Sequence, residues 1–144
     1  MIKYFPAPDV ERKMKDIVPK IGMSYIDPAQ VSCIRSRGST SRRTIARCHG
    51  MAKVLQIGMR RGAHYVIEVI SEEFDKLSQE EQTKVVIHEL MHIPKNFGGG
   101  FRHHDYVTKR NVDKLYRKYM GRDNSVILNK LNSKSQSMNW FLFR

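Results

Sequence analysis

His88-Glu89-Leu90-Met91-His92 is the stretch on which the fold turns. At about 100° per residue, positions i and i+4 share a helix face, so two imidazoles can reach one metal ion while Glu89 lies beside a water on that ion. This is the spacing of zinc hydrolases, provided that the segment is helical. Its flanks say that it is. Ser78-Gln79-Glu80-Glu81 reads as a capping box, with Ser78 at the N-cap and Glu81 three residues later, just before the apolar Val85-Val86-Ile87. Pro94 cannot continue a helix and stops it near Ile93. Val85, Val86, Leu90 and Ile93 give the helix apolar faces for burial, with His88, Glu89 and His92 together beside them.

A catalytic zinc usually takes three protein ligands and keeps one position open. No glutamate follows Glu89 in the chain, so a ligand glutamate from a later helix is excluded. The extension H-x-x-G-x-x-H fails as well, because Lys95 and Gly98 stand where it needs glycine and histidine. What remains is Gly98-Gly99-Gly100-Phe101-Arg102-His103-His104-Asp105, a turn able to bring the chain back over the helix. The third ligand is therefore expected to be His104 or His103.

These residues carry a family resemblance. The segment Tyr65-Val66-Ile67-Glu68-Val69-Ile70-Ser71, the HELMHIP stretch, the glycine turn ending in Phe101-Arg102-His103-His104, and Val112-Asp113-Lys114-Leu115-Tyr116-Arg117-Lys118-Tyr119 resemble the small metallopeptidases of archaea and their viruses. That is a phage-type family with a zincin core, and the likeness runs from about residue 6 to residue 119. Its turn typically reads G-G-x-[LF]-R-x-H, which implies His104 as the ligand, with His103 as the alternative because histidine also fills the variable position here. The resemblance implies one Zn²⁺ per chain held by His88, His92 and His104, and hydrolysis of a peptide bond in a protein or peptide substrate. Glu89 is then the general base. Arg102, His103 or Tyr106 is expected to stabilise the oxyanion. Asp105 is expected either to orient a ligand imidazole or to cap a helix.

With 144 residues and 40% hydrophobic content, the chain can fill one core and not two. The fold class expected is α+β, a zincin-like single domain over 1–131 in which a small twisted sheet packs on the H-E-x-x-H helix, followed by a tail over 132–144. No apolar run has the length of a membrane span and the amino terminus lacks a signal-like stretch, so a cytoplasmic protein is expected. Two cysteines, Cys33 and Cys48, are too few for a disulfide framework and read as small buried hydrophobes, able to pair only if their strands are neighbours.

Along the chain, 10–18 reads as a helix closed by Pro19 and Gly22, 31–37 as a strand, and 43–49 as its hairpin partner across Gly38-Ser39-Thr40-Ser41. The segment 53–59 fits either helix or strand. A strand is expected over 65–70, before an acidic helical turn at 71–77. The segment 65–70 is either a candidate edge for pairing with an extended peptide or an interior strand. A helix beginning at Asp105 or Tyr106 should reach Met120, a short one should span 124–131, and the tail ends in Trp140-Phe141-Leu142-Phe143, suited to docking on the domain or to self-association.

Charge is the second strong feature. The formal net charge is +12, and no acidic residue lies between Asp27 and Glu68. Arg35, Arg37, Arg42, Arg43 and Arg47 fall in that interval, where they could contact phosphates of a nucleic acid without reading bases or simply form a solvated basic surface. The alternative function is thus a basic nucleic-acid-binding protein that keeps a zincin scaffold with a structural metal.

Overall fold

The computed structural model describes residues 1–121. The short helix expected over 124–131, the tail over 132–144 and its Trp140-Phe141-Leu142-Phe143 lie outside the described residues. In chain order the elements are β1 (Lys3–Pro6), α1 (Pro8–Lys20), β2 (Val31–Arg37), β3 (Ala46–Gly50), α2 (Lys53–Met59), β4 (Tyr65–Ile70), α3 (Ser71–Phe74), α4 (Gln79–Met91) and α5 (Lys109–Tyr119), with one 3₁₀ turn at Pro28–Gln30. This is an α+β domain with a single mixed sheet. Among the described residues no helix is long and apolar enough to cross a membrane.

The strands lie in the order β1-β2-β4-β3. β4 runs parallel to β2 and antiparallel to β3, so it is interior and not an edge. The reason is compositional: Ile67, Glu68, Val69 and Ile70 are all buried, as befits a strand with a neighbour on both sides. The hairpin expected between 31–37 and 43–49 does not form for the same reason. The chain leaves β2, passes to the far side as β3, and β4 then fills the slot between them. Cys33 and Cys48 therefore both face Ile67 across β4, two strand spacings apart, which is beyond the reach of a disulfide.

α1, α4 and α5 pack against one another, with α1 also seated on β2 and α4 on β3. Met14 and Ile17 from α1 and Val86, Ile87 and Leu90 from α4 meet Ile67 and Val69 of the sheet in one apolar cluster. α1 begins earlier than expected because Pro8 is pre-set for the first helical turn. Pro19 sits within its last turn, and the chain breaks away only at Gly22, where φ is +75°. α5 starts later than expected: residues 104–106 form a turn, and the Thr108 side chain, not Asp105, caps the helix by accepting from the Asn111 amide. A buried ion pair joins α4 to α5, with Lys84 Nζ 3.2 Å from Asp113 and 3.3 Å from Glu80.

Candidate metal centre

Helix α4 is fixed at both ends by its own sequence. The Ser78 hydroxyl accepts from the Glu81 amide at 3.2 Å and the Glu81 carboxylate accepts from the Ser78 amide at 3.3 Å, a closed capping box. At the other end His92 is the C-cap, its amide returned to the carbonyls of Glu89 and Leu90. Every residue from Thr83 to Met91 is buried, so the helix is a central post of the domain and His88 and Glu89 have one well-defined setting. The Nε2 atoms of His88 and His92 lie 3.3 Å apart.

Three neighbours pin the glycine turn. The Tyr65 hydroxyl accepts from the Gly99 amide and donates to the Gly100 carbonyl, both at 2.8 Å. Gln56 Nε2 donates to the carbonyls of Met51 at 2.8 Å and Gly98 at 2.9 Å. Phe97 packs its ring 5.0 Å from that of Tyr65. Gly99 has φ +102°, and a Cβ there would sit 2.4 Å from the Met51 carbonyl oxygen, so no larger residue fits.

Beyond the turn, the chain clamps back onto the helix end. The Arg102 amide donates to the His92 carbonyl and His92 Nδ1 donates to the Arg102 carbonyl, both at 2.7 Å. That second bond leaves the His92 Nε2 lone pair directed at the site. Burial moves the His92 imidazole toward its neutral form, helped by His104 and His103 and opposed by the Arg102 carbonyl. The result is a group of three: ligand atoms of His88, His92 and His104 all lie within 4.8 Å of one another. His103 is not in the group, although it lines the adjoining cleft.

Burial holds the Glu89 carboxyl well above the usual carboxylate range. Its Oε2 has no hydrogen-bond partner among the described residues, an expensive condition for a buried oxygen. Three converging imidazole nitrogens next to an orphaned carboxyl oxygen fit a metal ion and a polar molecule beside it.

A cleft of about 460 Å³ opens over the group. One wall is Arg47, Cys48 and His49 of β3, and the other is Phe101, Arg102 and His103. The Ile70 amide donates to the Ile45 carbonyl and the Met51 amide to the His64 carbonyl, so odd-numbered residues of β3 turn their backbone to β4. Ala46, Cys48 and Gly50 consequently present theirs to the outer side, and the glycine turn packs on the face of Gly50 from which a Cβ would project.

Arg102 stacks its guanidinium 3.3 Å from the centre of the Tyr106 ring. Tyr106 does not line the cleft. Asp105 accepts from the Tyr106 amide, and the group that orients His92 is the Arg102 carbonyl. The five arginines of the basic stretch separate. Arg35 pairs with Asp9 and Asp75, Arg37 lies over the Phe5 ring, and Arg47 stands 3.8 Å from Glu68 at the cleft. Arg42 and Arg43 are exposed on the 38–45 connection. Sequence reasoning missed Gln56 and Tyr65 as positioning residues and Cys48 and His49 as cleft residues. Only Tyr65 left a trace, a buried phenol that must find a hydroxyl partner.

Residues 2–132 match the family model described as "Putative phage metallopeptidase". No curated protein and no solved structure matches the chain.

Proposed function

The chain belongs to this phage metallopeptidase family, and on that footing we propose that it is a zinc-dependent peptidase with His88, His92 and His104 as metal ligands and Glu89 as general base. The observation that carries the proposal is the convergence of three imidazole nitrogens within 4.8 Å beside a buried carboxyl oxygen that has no partner among the described residues. Bound there, Zn²⁺ would supply Lewis-acid polarisation of the scissile carbonyl and a water acidified toward neutrality.

The chain's own residues do the rest. Glu89, whose buried Oε2 has no partner among the described residues, takes a proton from water and returns it to the leaving amine. The substrate lies along β3, an edge strand, whose Ala46 and Cys48 turn their N–H and C=O groups outward next to the metal group. Cys48 lines the same cleft as His92 and His104, which sets a peptide paired with it beside the metal group. Arg102, on the opposite wall, is the donor available to the oxyanion.

Metal analysis of tag-free protein, joined to digestion of a broad peptide library, tests the reading. About one zinc per chain and peptide cleavage are expected, with Glu89→Gln keeping the metal and losing roughly 10²–10⁴-fold in rate. Metal-free protein, or unchanged turnover in Glu89→Gln, would overturn it.

A further inference from the structure

The cleft carries a feature that peptide hydrolysis does not require. Its lining includes Arg47 and His49 on one wall and Arg102 and His103 on the other, and no carboxylate among the described residues. Glu68, paired with Arg47 across the β3–β4 ladder, lies beneath the first two, its side chain only 5% exposed. Its Oε1 is 2.8 Å from His49 Nε2 and its Oε2 is 3.8 Å from Arg47. Burial raises the Glu68 carboxyl, but the nearby Ser36 hydroxyl, the His49 bond and the Arg47 charge outweigh it, and the carboxylate holds both side chains in place. Arg47 and His49 keep 39% and 51% of their side-chain surface exposed, enough to meet a ligand.

The strand alternation sets what that ligand is. Along β3, Cys48 faces the helices while Arg47 and His49 project from the other face of the sheet. In an antiparallel pair, residues opposite each other put their side chains on the same face. A peptide added to β3 therefore turns one side chain toward α4, opposite Cys48, and the two flanking side chains stand beside Arg47 and His49. We infer that the cleft selects peptides with Asp or Glu at these flanking positions, with Arg47 and His49 of the edge strand as the specificity determinants. The inference rests on the peptidase reading of the same cleft. A guanidinium and an imidazole two residues apart, on a strand with outward backbone groups, match the spacing of alternate side chains in an extended peptide.

The experiment uses full-length, zinc-loaded protein carrying Glu89→Gln, and fluorescein-labelled alanine-based peptides bearing Glu, Gln or Lys at the flanking positions. Anisotropy should show the Glu peptide binding about fivefold more tightly than the Gln peptide at low salt, the scale of an exposed ion pair. The Lys peptide should bind more weakly than both. Adding Arg47→Glu should reverse the order, and His49→Gln should halve the preference or more, with thermal melts checking that both variants are folded. Equal binding of Glu and Gln peptides, or an order that survives Arg47→Glu, overturns the inference. So does a single-stranded oligonucleotide that outcompetes every peptide and loses its affinity in Arg47→Glu, which would assign the cleft to nucleic acid. Turnover by the wild-type protein separates the two claims. Neutral and acidic peptides cleaved with equal kcat/KM would leave the peptidase reading intact and remove the selectivity. Preferential binding of acidic peptides without cleavage of any would do the opposite.

Discussion

The Tyr65 hydroxyl accepts the Gly99 amide at 2.8 Å, tying the first residue of the central strand to a turn that lies far along the chain. Through that bond and its partner to Gly100, the sheet joins the Arg102–His92 clamp in deciding where the third imidazole arrives.

Tyr65→Phe should therefore weaken metal binding without touching a ligand. Loss of a group that orients a ligand from outside typically costs 10- to 100-fold in affinity, and the lower end is expected because Gln56 still holds Gly98. Stability should fall by about 1–2 kcal/mol, since the Gly99 amide and Gly100 carbonyl lose a partner together. Chelator competition and urea unfolding measure the two effects, and an unchanged zinc affinity would show that the turn holds its shape without the phenol.

The two adjacent histidines should behave differently. His104→Ala should lower zinc affinity strongly, because it removes one of the three converging rings. His103→Ala should retain zinc and alter turnover, because that ring lines the cleft. Zinc titration of both variants decides the matter, and the reverse result would move the ligand to His103.

Lys84 is 2% exposed and faces Asp113 at 3.2 Å, with the Tyr116 ring 5.1 Å from its Nζ. Removing one member of a buried pair leaves the other charge uncompensated, so Lys84→Ala should cost about 3–5 kcal/mol. The double variant Lys84→Met with Asp113→Leu should recover most of that loss. Denaturant midpoints of the single and double variants make the comparison, and a double variant as unstable as the single would mean that packing, not charge, is what Lys84 supplies.

Acid should weaken the tie between α1 and the sheet. Hydrogen bonds from Arg35 hold the Asp9 carboxyl at about 2, below its ordinary 3.8, while burial works the other way. A carboxyl lowered by folding contributes stability in full above its unfolded value and loses it as pH falls through the folded one, so the window is about pH 4 to pH 2. The Asp9 side chain is 54% exposed, which limits the effect to about 1 kcal/mol or less. The stability gap between wild type and Asp9→Asn should close on going from about pH 5 to about pH 2. A gap of constant size would remove the pair from the acid response.

What could be read in the sequence was what is local. The Ser78–Glu81 box, the i,i+4 histidines and the limits of β2 and β4 follow from a few consecutive residues, and the structure has them where the pattern puts them. The partner of β2 was not legible, because strand pairing is a contest among distant segments. β4 wins the central place by burying more than β3 can. Asp105 looked like a cap until Thr108, three residues on, took the position. Arg47 and His49 looked like part of an undifferentiated basic run. Only the fold separates them from Arg35, which is consumed by Asp9 and Asp75 on the other side of the domain. The Lys84–Asp113 pair was invisible for a similar reason, as neither residue's charge advertises that it is buried.

A strand edge open to a substrate is equally open to another copy of the same protein, and exposed edges are where sheets grow into fibres. Here the glycine turn lies across Gly50, so close that a Cβ at that residue would meet the Gly99 carbonyl oxygen at 2.6 Å. β3 is only five residues long and carries Arg47 at its middle, and a short edge with a charged side chain is a poor seed for a ladder between molecules. The brevity that limits how much of a peptide can pair with this edge also guards the protein against polymerising through it.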